Sequence, residues 1–312
     1  MTAFILRRLM LAVVTGLAVL TLIFAIVRVL PSDPAQVILG DFASHAALAA
    51  LRAKLGLDQP VCVQYVTFLK GAVDGNWGVS MVTGRPVISE ILSVLPWTIE
   101  LTIISLAIGA VIGIPLGVSA AIRRNRALDY IIRIASLLGL SFPAFVSAVV
   151  LLLAFAIKLP WFPVISAQTG SVSAWFRSLV LPSFSLAIIM AAYITRVTRS
   201  AMLEVLSEDY VRTARAKGVP WRRVVRRHAL RNALIPIITI IGLFLGILIG
   251  NSVLTEIVFN RPGLGKLIVG ALNQRDYTML QGMMVIYTLI VVLVNMLTDI
   301  VYALVDPRVK LQ

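Results

Sequence analysis

The chain has 312 residues, 59% of them hydrophobic and 13% charged, with a formal net charge of +14 and a mean hydropathy of +0.96. Soluble domains are about half apolar and carry about a quarter charged residues, so this composition excludes an ordinary soluble enzyme and points to a membrane protein. The basic residues sit in short gaps between apolar runs rather than on a polar folded surface, which argues against nucleic acid as a partner and suits membrane orientation.

A spanning helix needs ~20 mainly apolar residues, and six runs qualify. The first covers residues 9–30 behind Arg7 and Arg8. Its apolar run exceeds the ~7–15 residues of a secretory signal, and no Ala-x-Ala site follows, so it reads as a retained anchor helix. Residues 31–96 are too polar to span. Within them Ser44 suits a helix cap, Ala47, Leu48, Leu51 and Leu55 share one face, and Gly56 suits the position after the helix end. This predicts a short amphipathic helix at the outer surface, followed by turns at 74–76 and 84–86. The remaining spans are expected at 97–121, 130–157, 179–199, 233–258 and 279–305. Several contain Pro or Gly, including Pro115, Pro143 and Pro182, which membrane helices tolerate where neighbours satisfy the freed backbone groups. Trp77, Trp97, Trp161 and Trp175 fall near predicted boundaries, as interfacial aromatics do.

Cationic loops stay in the cytoplasm. Segment 200–232 holds eight Lys and Arg against three acids, and 122–129 holds Arg123, Arg124 and Arg126 against Asp129. Segment 31–96 holds four basic and five acidic residues; only 259–278, with Arg261, Lys266 and Arg275 against Asp276, runs the other way. The expected fold is therefore an all-α membrane protein of about six transmembrane helices with cytoplasmic N- and C-termini. Its parts are the N-terminus and first helix (1–30), a long extracytoplasmic loop (31–96) and a membrane core (97–312).

Enzymatic signatures are missing. No G-x-x-x-x-G-K-[ST] occurs, and Gly263-Leu264-Gly265-Lys266-Leu267 lacks both the upstream glycine and the metal-binding hydroxyl; it reads as a turn. The two histidines, His45 and His228, lie far apart in the predicted topology, Cys62 is the single cysteine, and neither H-E-x-x-H nor G-x-S-x-G is found. No metal site and no catalytic residue are expected. Ionisable residues within spans are few, and those such as Arg28, Glu100, Arg133, Arg196, Glu256 and Asp299 lie mostly near span ends, whereas a self-powered carrier places such groups near mid-membrane.

The densest basic tract is RTARAKGVPWRRVVRRHALRNALIP, starting at Arg212. Residues 208–217 suit a short helix with acids in the first turn. Gly218 ends it, and Pro220 opens a second helix. There Trp221, Val224, Val225, His228 and Ala229 share a face, and Arg222, Arg223, Arg226, Arg227 and Arg231 occupy the rest. The pairs Arg222/Arg226, Arg223/Arg227 and Arg227/Arg231 each cost roughly 0.2–0.5 kcal/mol in an isolated helix. Lipid headgroups would offset that charge, but they do not account for Ala214, Ala216 and Gly218 at the bend. A helix–turn–helix with a small-residue tip suits a groove on another protein.

This loop resembles the EAA loop of permease subunits of ATP-binding-cassette importers. Arg212-Thr213-Ala214 holds the E-A-A positions with Ala214 alone matching, Gly218 holds the glycine, and His228-Ala229-Leu230-Arg231 holds the I-x-L-P positions without the final proline. These departures look like the dipeptide, oligopeptide and nickel branch. Leu55-Gly56-Leu57-Asp58-Gln59-Pro60 with Gln64-Tyr65, Gly78-Val79-Ser80, Arg85-Pro86-Val87, Phe259-Asn260-Arg261-Pro262-Gly263-Leu264-Gly265 and Asp306-Pro307-Arg308 resemble it too, so the likeness runs along the whole chain.

The resemblance implies the transmembrane domain of a type I importer, the first permease of a heterodimeric pair. Its expected partners are a second homologous permease, two cytoplasmic ATP-binding subunits, an extracytoplasmic solute-binding protein and membrane lipids. ATP and Mg would be bound by the partner subunits and no cofactor by this chain. The loop 201–232 would couple to the ATPases through Asp209, Tyr210, Arg212, Thr213, Ala214, Arg215, Ala216, Lys217, Gly218, Trp221, Arg223 and Arg227. The solute implied is a di- or oligopeptide, with nickel, glutathione, opines or another small solute as alternatives. From the residues themselves, Ser141, Phe142, Pro143, Asn251 and Ser252 are polar or kinked positions within spans and candidate pathway-lining residues. A secondary carrier and a basic membrane-surface scaffold that moves nothing are the rival classes.

Overall fold

The computed structural model describes residues 2–29, 35–36, 43–54, 56–165 and 171–305. Among them there is no strand, only an isolated bridge between Val79 and Pro86. In hydrocarbon every backbone polar group must be satisfied within the protein, and for an apolar run the helix does this inside one segment. Among the described residues five helices are long and apolar enough to span: α1 (Thr2–Val29), α4 (Val87–Ile122), α7 (Val172–Leu206), α9 (Trp221–Val258) and α11 (Tyr277–Val305). The helices α5 (Ala127–Ser141) and α6 (Ala144–Lys158) would together make a sixth.

That sixth span departs from the single helix expected over 130–157. The chain bends by 97° between α5 and α6. Pro143 has no N–H to continue α5, and proline disfavours helical geometry in the residue before it. Phe142 accordingly sits extended at φ −103, ψ 131, and Pro143 caps the new helix. Pro182 and Pro236 stay inside α7 and α9 without ending them.

The described chain forms two compact units. One comprises Met1–Pro96 and Lys266–Leu293, the other Trp97–Gly265 and Val294–Gln312. In the first unit the amphipathic helix appears as α2 (His45–Lys54). Ser44 Oγ accepts from Ala47 N at 3.2 Å, and Gly56 takes φ +65; Leu55 lies outside the described residues. A further helix, α3 (Val61–Asp74), was not expected from the sequence. It packs on α1 through Phe24, which meets Tyr65 edge-on and stacks on Phe68. The Thr21 and Tyr65 hydroxyls also lie 2.6 Å apart. Asp276 caps α11, accepting from Met279 N at 3.0 Å, and accepts from Ser80 Oγ at 2.5 Å, which fixes the loop after α3.

In the second unit α7 is the hub. Of its apolar window 72% is buried, against 11% for α1. Leu186, Met190, Ile194 and Met202 of α7 form the core with Ala233, Ile237, Phe244 and Leu248 of α9. On another side α4 presents Gly109, Gly113 and Gly117. A Cβ at Gly113 would lie 2.8 Å from Ala191 O, and one at Gly117 2.5 Å from Thr198 Cβ. Only hydrogen fits there, and small residues are what allow membrane helices to approach this closely. Large apolar side chains such as Ile103, Val111, Ile134 and Leu254 point outward, as lipid contact requires. Stretch 263–267, expected as a turn, instead enters a short apolar helix, α10 (Leu264–Asn273).

Candidate functional site

After α7 the chain turns at Ser207 and Glu208 and enters α8 (Asp209–Ala216). Asp209 in its first turn and Arg215 in its last complement the helix dipole. Thr213 Oγ1 donates to Asp209 O at 2.9 Å. The Asp209–Arg212 ion pair at 3.5 Å is exposed on both sides and contributes little. Gly218 then adopts φ +80, with nothing within 4 Å of where a Cβ would stand. The glycine is thus demanded by backbone conformation rather than by space. Pro220 caps the helix that follows, and a widened turn at Val224–Ala229 carries α9 onward without a break.

The root of this elbow is packed. Val211, Val224, Val225 and Ala229 are buried, which realises three of the five positions of the expected apolar face. Trp221, a fourth, is instead exposed, with the Arg215 guanidinium 5.1 Å over its ring. Tyr210 bridges the two helices: Asn232 Nδ2 donates to its hydroxyl at 2.6 Å, and the hydroxyl donates to His228 O at 3.4 Å. Of the residues expected to couple, Ala214 is half-buried, and Asp209, Tyr210, Arg212, Thr213, Arg215, Ala216, Lys217, Gly218, Trp221, Arg223 and Arg227 are all exposed. The result is a stapled, cationic helical corner whose tip carries small side chains. It presents shape and positive charge at the surface. Among the described residues no cluster of His, Cys, Asp or Glu could hold a metal ion.

Of the candidate pathway residues, Ser141, Phe142 and Pro143 lie exposed at the α5–α6 bend, with Ser141 Oγ donating to Leu137 O at 2.8 Å. Asn251 is exposed, whereas Ser252 is fully buried and donates to Ile249 O at 2.8 Å.

Beside Ser252 lies a site not anticipated from the sequence. The Glu256 carboxylate, fully buried, accepts from Thr98 Oγ1 at 2.6 Å and from Gly265 N at 2.7 Å. Thr98 Oγ1 in turn accepts from Leu264 N at 2.8 Å. A Cβ on Gly263 would lie 2.3 Å from the Glu256 carboxyl carbon, and one on Gly265 2.3 Å from Val253 Cα. The glycines let the backbone wrap the carboxylate. Arg261, also fully buried, pairs with Glu100 and lies 4.8 Å over the Trp97 ring. Burial draws its guanidinium below the usual arginine range, and Glu100 opposes that. The one sequence signal was an acid four residues after Ser252 in an otherwise apolar stretch, shortly before two glycines spaced by one.

Comparison with known proteins agrees with this architecture. Residues 113–311 match the family described as binding-protein-dependent transport system inner membrane component, and residues 1–102 match the N-terminal family of the same system. The glutathione transport system permease protein GsiC of Salmonella choleraesuis is 40% identical over 310 residues, covering 99% of both chains. A probable peptide ABC transporter permease protein of Sinorhizobium fredii is 40% identical over 312 residues, covering 99% of this chain and all of its own (100%). Among solved structures, a chain of the MetNI methionine ABC transporter superposes with a TM-score of 0.58 at 21% identity, over 70% of this chain and 96% of that one. A chain of an amino acid ABC transporter gives 0.52 at 15% identity, over 69% and 93%. These structures share the fold.

Proposed function

Because this chain belongs to the binding-protein-dependent transport system inner membrane component family, we propose that it forms half of the pathway for di- or oligopeptides in an importer driven by ATP hydrolysis in other subunits. The chain is a multi-pass protein of the bacterial inner membrane, and its relatives are permease proteins rather than ATPases. The observation that carries the reading is the elbow itself. A glycine in left-handed geometry joins two helices stapled by Tyr210, with a small-residue tip and no acid between Arg212 and the span.

In this reading loop 201–232 faces the cytoplasm with both termini, segment 31–96 faces outward, and residues 97–312 form the permease core. α8 seats in a groove of one of two ATP-binding subunits, which hold ATP and Mg. A second, homologous permease completes the pathway, and a solute-binding protein delivers cargo from outside. The elbow passes work into α7 and α9, between which it is strung. One relative is named for glutathione and another for peptides; glutathione, itself a small peptide, is the second reading for the cargo.

The test is reconstitution of the assembled complex in liposomes with its solute-binding protein. Peptide-stimulated ATP hydrolysis and peptide uptake are expected, with glutathione run as a competitor. Uptake by this chain alone, or labelling of Lys217 from the outer face of intact cells, would refute the reading.

A further inference from the structure

Asp129 was counted in the sequence as a loop charge among Arg123, Arg124 and Arg126. In the structure its side chain is fully buried in the first turn of α5. It accepts three N–H groups: Arg199 Nε at 2.7 Å on Oδ1, Arg199 Nη2 at 2.8 Å on Oδ2, and Asn125 N at 3.0 Å on Oδ2. Asn125 takes φ +59 to present that N–H. The pair is a two-point fork, which fixes angle as well as distance.

Its position matters more than its strength. Burying an ion pair gains little net stability over an apolar pair of similar shape, whereas losing one partner is costly. Arg199 lies on α7, which runs without a break to Leu206 and then hands the chain to α8. At 1.5 Å per residue that is roughly 10 Å of straight helix between Arg199 and the start of the elbow. Asp129 lies at the start of α5, whose far end is the 97° bend at Phe142 and Pro143. Asp129 therefore joins the stem of the elbow to the bent segment. The glycine seam of α4 packs closely along the same α7.

We infer that the Asp129–Arg199 fork is a transmission joint, a positioning pair that carries displacement of the elbow into α5 and so to the bend at Phe142 and Pro143. It touches neither solute nor nucleotide. The inference rests on the elbow being the ATPase-docking element, as proposed above.

The experiment uses the complete complex in liposomes and compares Asp129→Asn, Arg199→Gln, Arg199→Lys and the exchange Asp129→Arg/Arg199→Asp. Co-purification of the ATPase subunits, ATP hydrolysis and solute moved per ATP are read in parallel with melting temperature. Asp129→Asn and Arg199→Gln are expected to retain attached, hydrolysing ATPases while solute moved per ATP falls about fivefold or more. Arg199→Lys, which keeps the charge and loses the fork, falls between, and the exchange recovers most of the ratio. An unchanged ratio in both single variants overturns the inference. So does a loss of uptake that follows the loss of folded protein and is not restored by the exchange. Failure of the underlying reading looks different: elbow variants such as Gly218→Asp would then leave hydrolysis and uptake linked.

Discussion

Asn232 Nδ2 donates to the Tyr210 hydroxyl across 2.6 Å, joining the first turn of α8 to the helix that leaves the elbow. The contact is exposed, so its removal costs little stability, at most about 1 kcal/mol. Tyr210→Phe is expected to leave the melting temperature nearly unchanged while lowering solute moved per ATP, because a lever with a loose corner transmits less. A paired measurement of hydrolysis and uptake checks this; an unaltered ratio would count against the staple.

Gly218 tests backbone conformation separately from space. Its φ of +80 costs a residue with a Cβ roughly 1–2 kcal/mol, and nothing stands within 4 Å to clash. Gly218→Asn, which tolerates left-handed geometry, should therefore couple better than Gly218→Ala. Gly218→Asp and Ala214→Asp should insert normally yet separate hydrolysis from transport, since each would bury an unpaired charge in the partner's groove.

The proposed docking is expected to draw in part on charge. Arg223 and Arg227 are exposed on one stretch of the elbow, and exposed charges are screened by salt within about 10 Å at 0.1 M. Arg223→Glu/Arg227→Glu is expected to release the ATPase subunits at lower salt than the natural chain. Identical co-purification across a salt series would refute an electrostatic share.

The wrapped carboxylate gives a prediction about stability. Glu256→Ala leaves buried donors of Thr98 and Gly265 without their acceptor, at ~1–3 kcal/mol per group. Gly263→Ala drives a methyl into the carboxyl carbon and costs ~1–3 kcal/mol by overpacking. Combined, the two should cost less than their sum, because the methyl enters the space the carboxylate leaves. Gly265→Ala should show less relief, since its closest clash is with Val253 Cα at 2.3 Å and the Glu256 carboxylate lies farther, at 3.0 Å. Melting curves in detergent distinguish these outcomes.

The spans were legible because a run of ~20 apolar residues has few alternatives in a membrane. The elbow was legible because Gly218 and Pro220 punctuate a charged tract whose pattern is local. Pro143 was seen, but not the bend it makes: Pro182 and Pro236 are tolerated in α7 and α9, and the difference is set by neighbours that the local sequence does not contain. The helix α3 was hidden because exposed apolar residues, Val61, Val63, Val66 and Val73, blur the face that Tyr65 and Phe68 pack on α1. Glu256 and Asp129 read as end-of-span or loop charges because their partners are remote: Thr98 lies 158 positions from Glu256, and Arg199 lies 70 from Asp129.

That remoteness bears on biogenesis. A carboxylate leaving water needs its donors at the moment of burial, and the hydroxyl that satisfies Glu256 belongs to a helix synthesised long before it. On emerging from the ribosome the fifth span has local donors for Glu256 in Ser252 and Gly265, and gains the Thr98 hydroxyl only on meeting the second span. Insertion of the fifth span and its final packing are therefore expected to be separable steps, the later one bringing Glu256 to a threonine made 158 residues earlier.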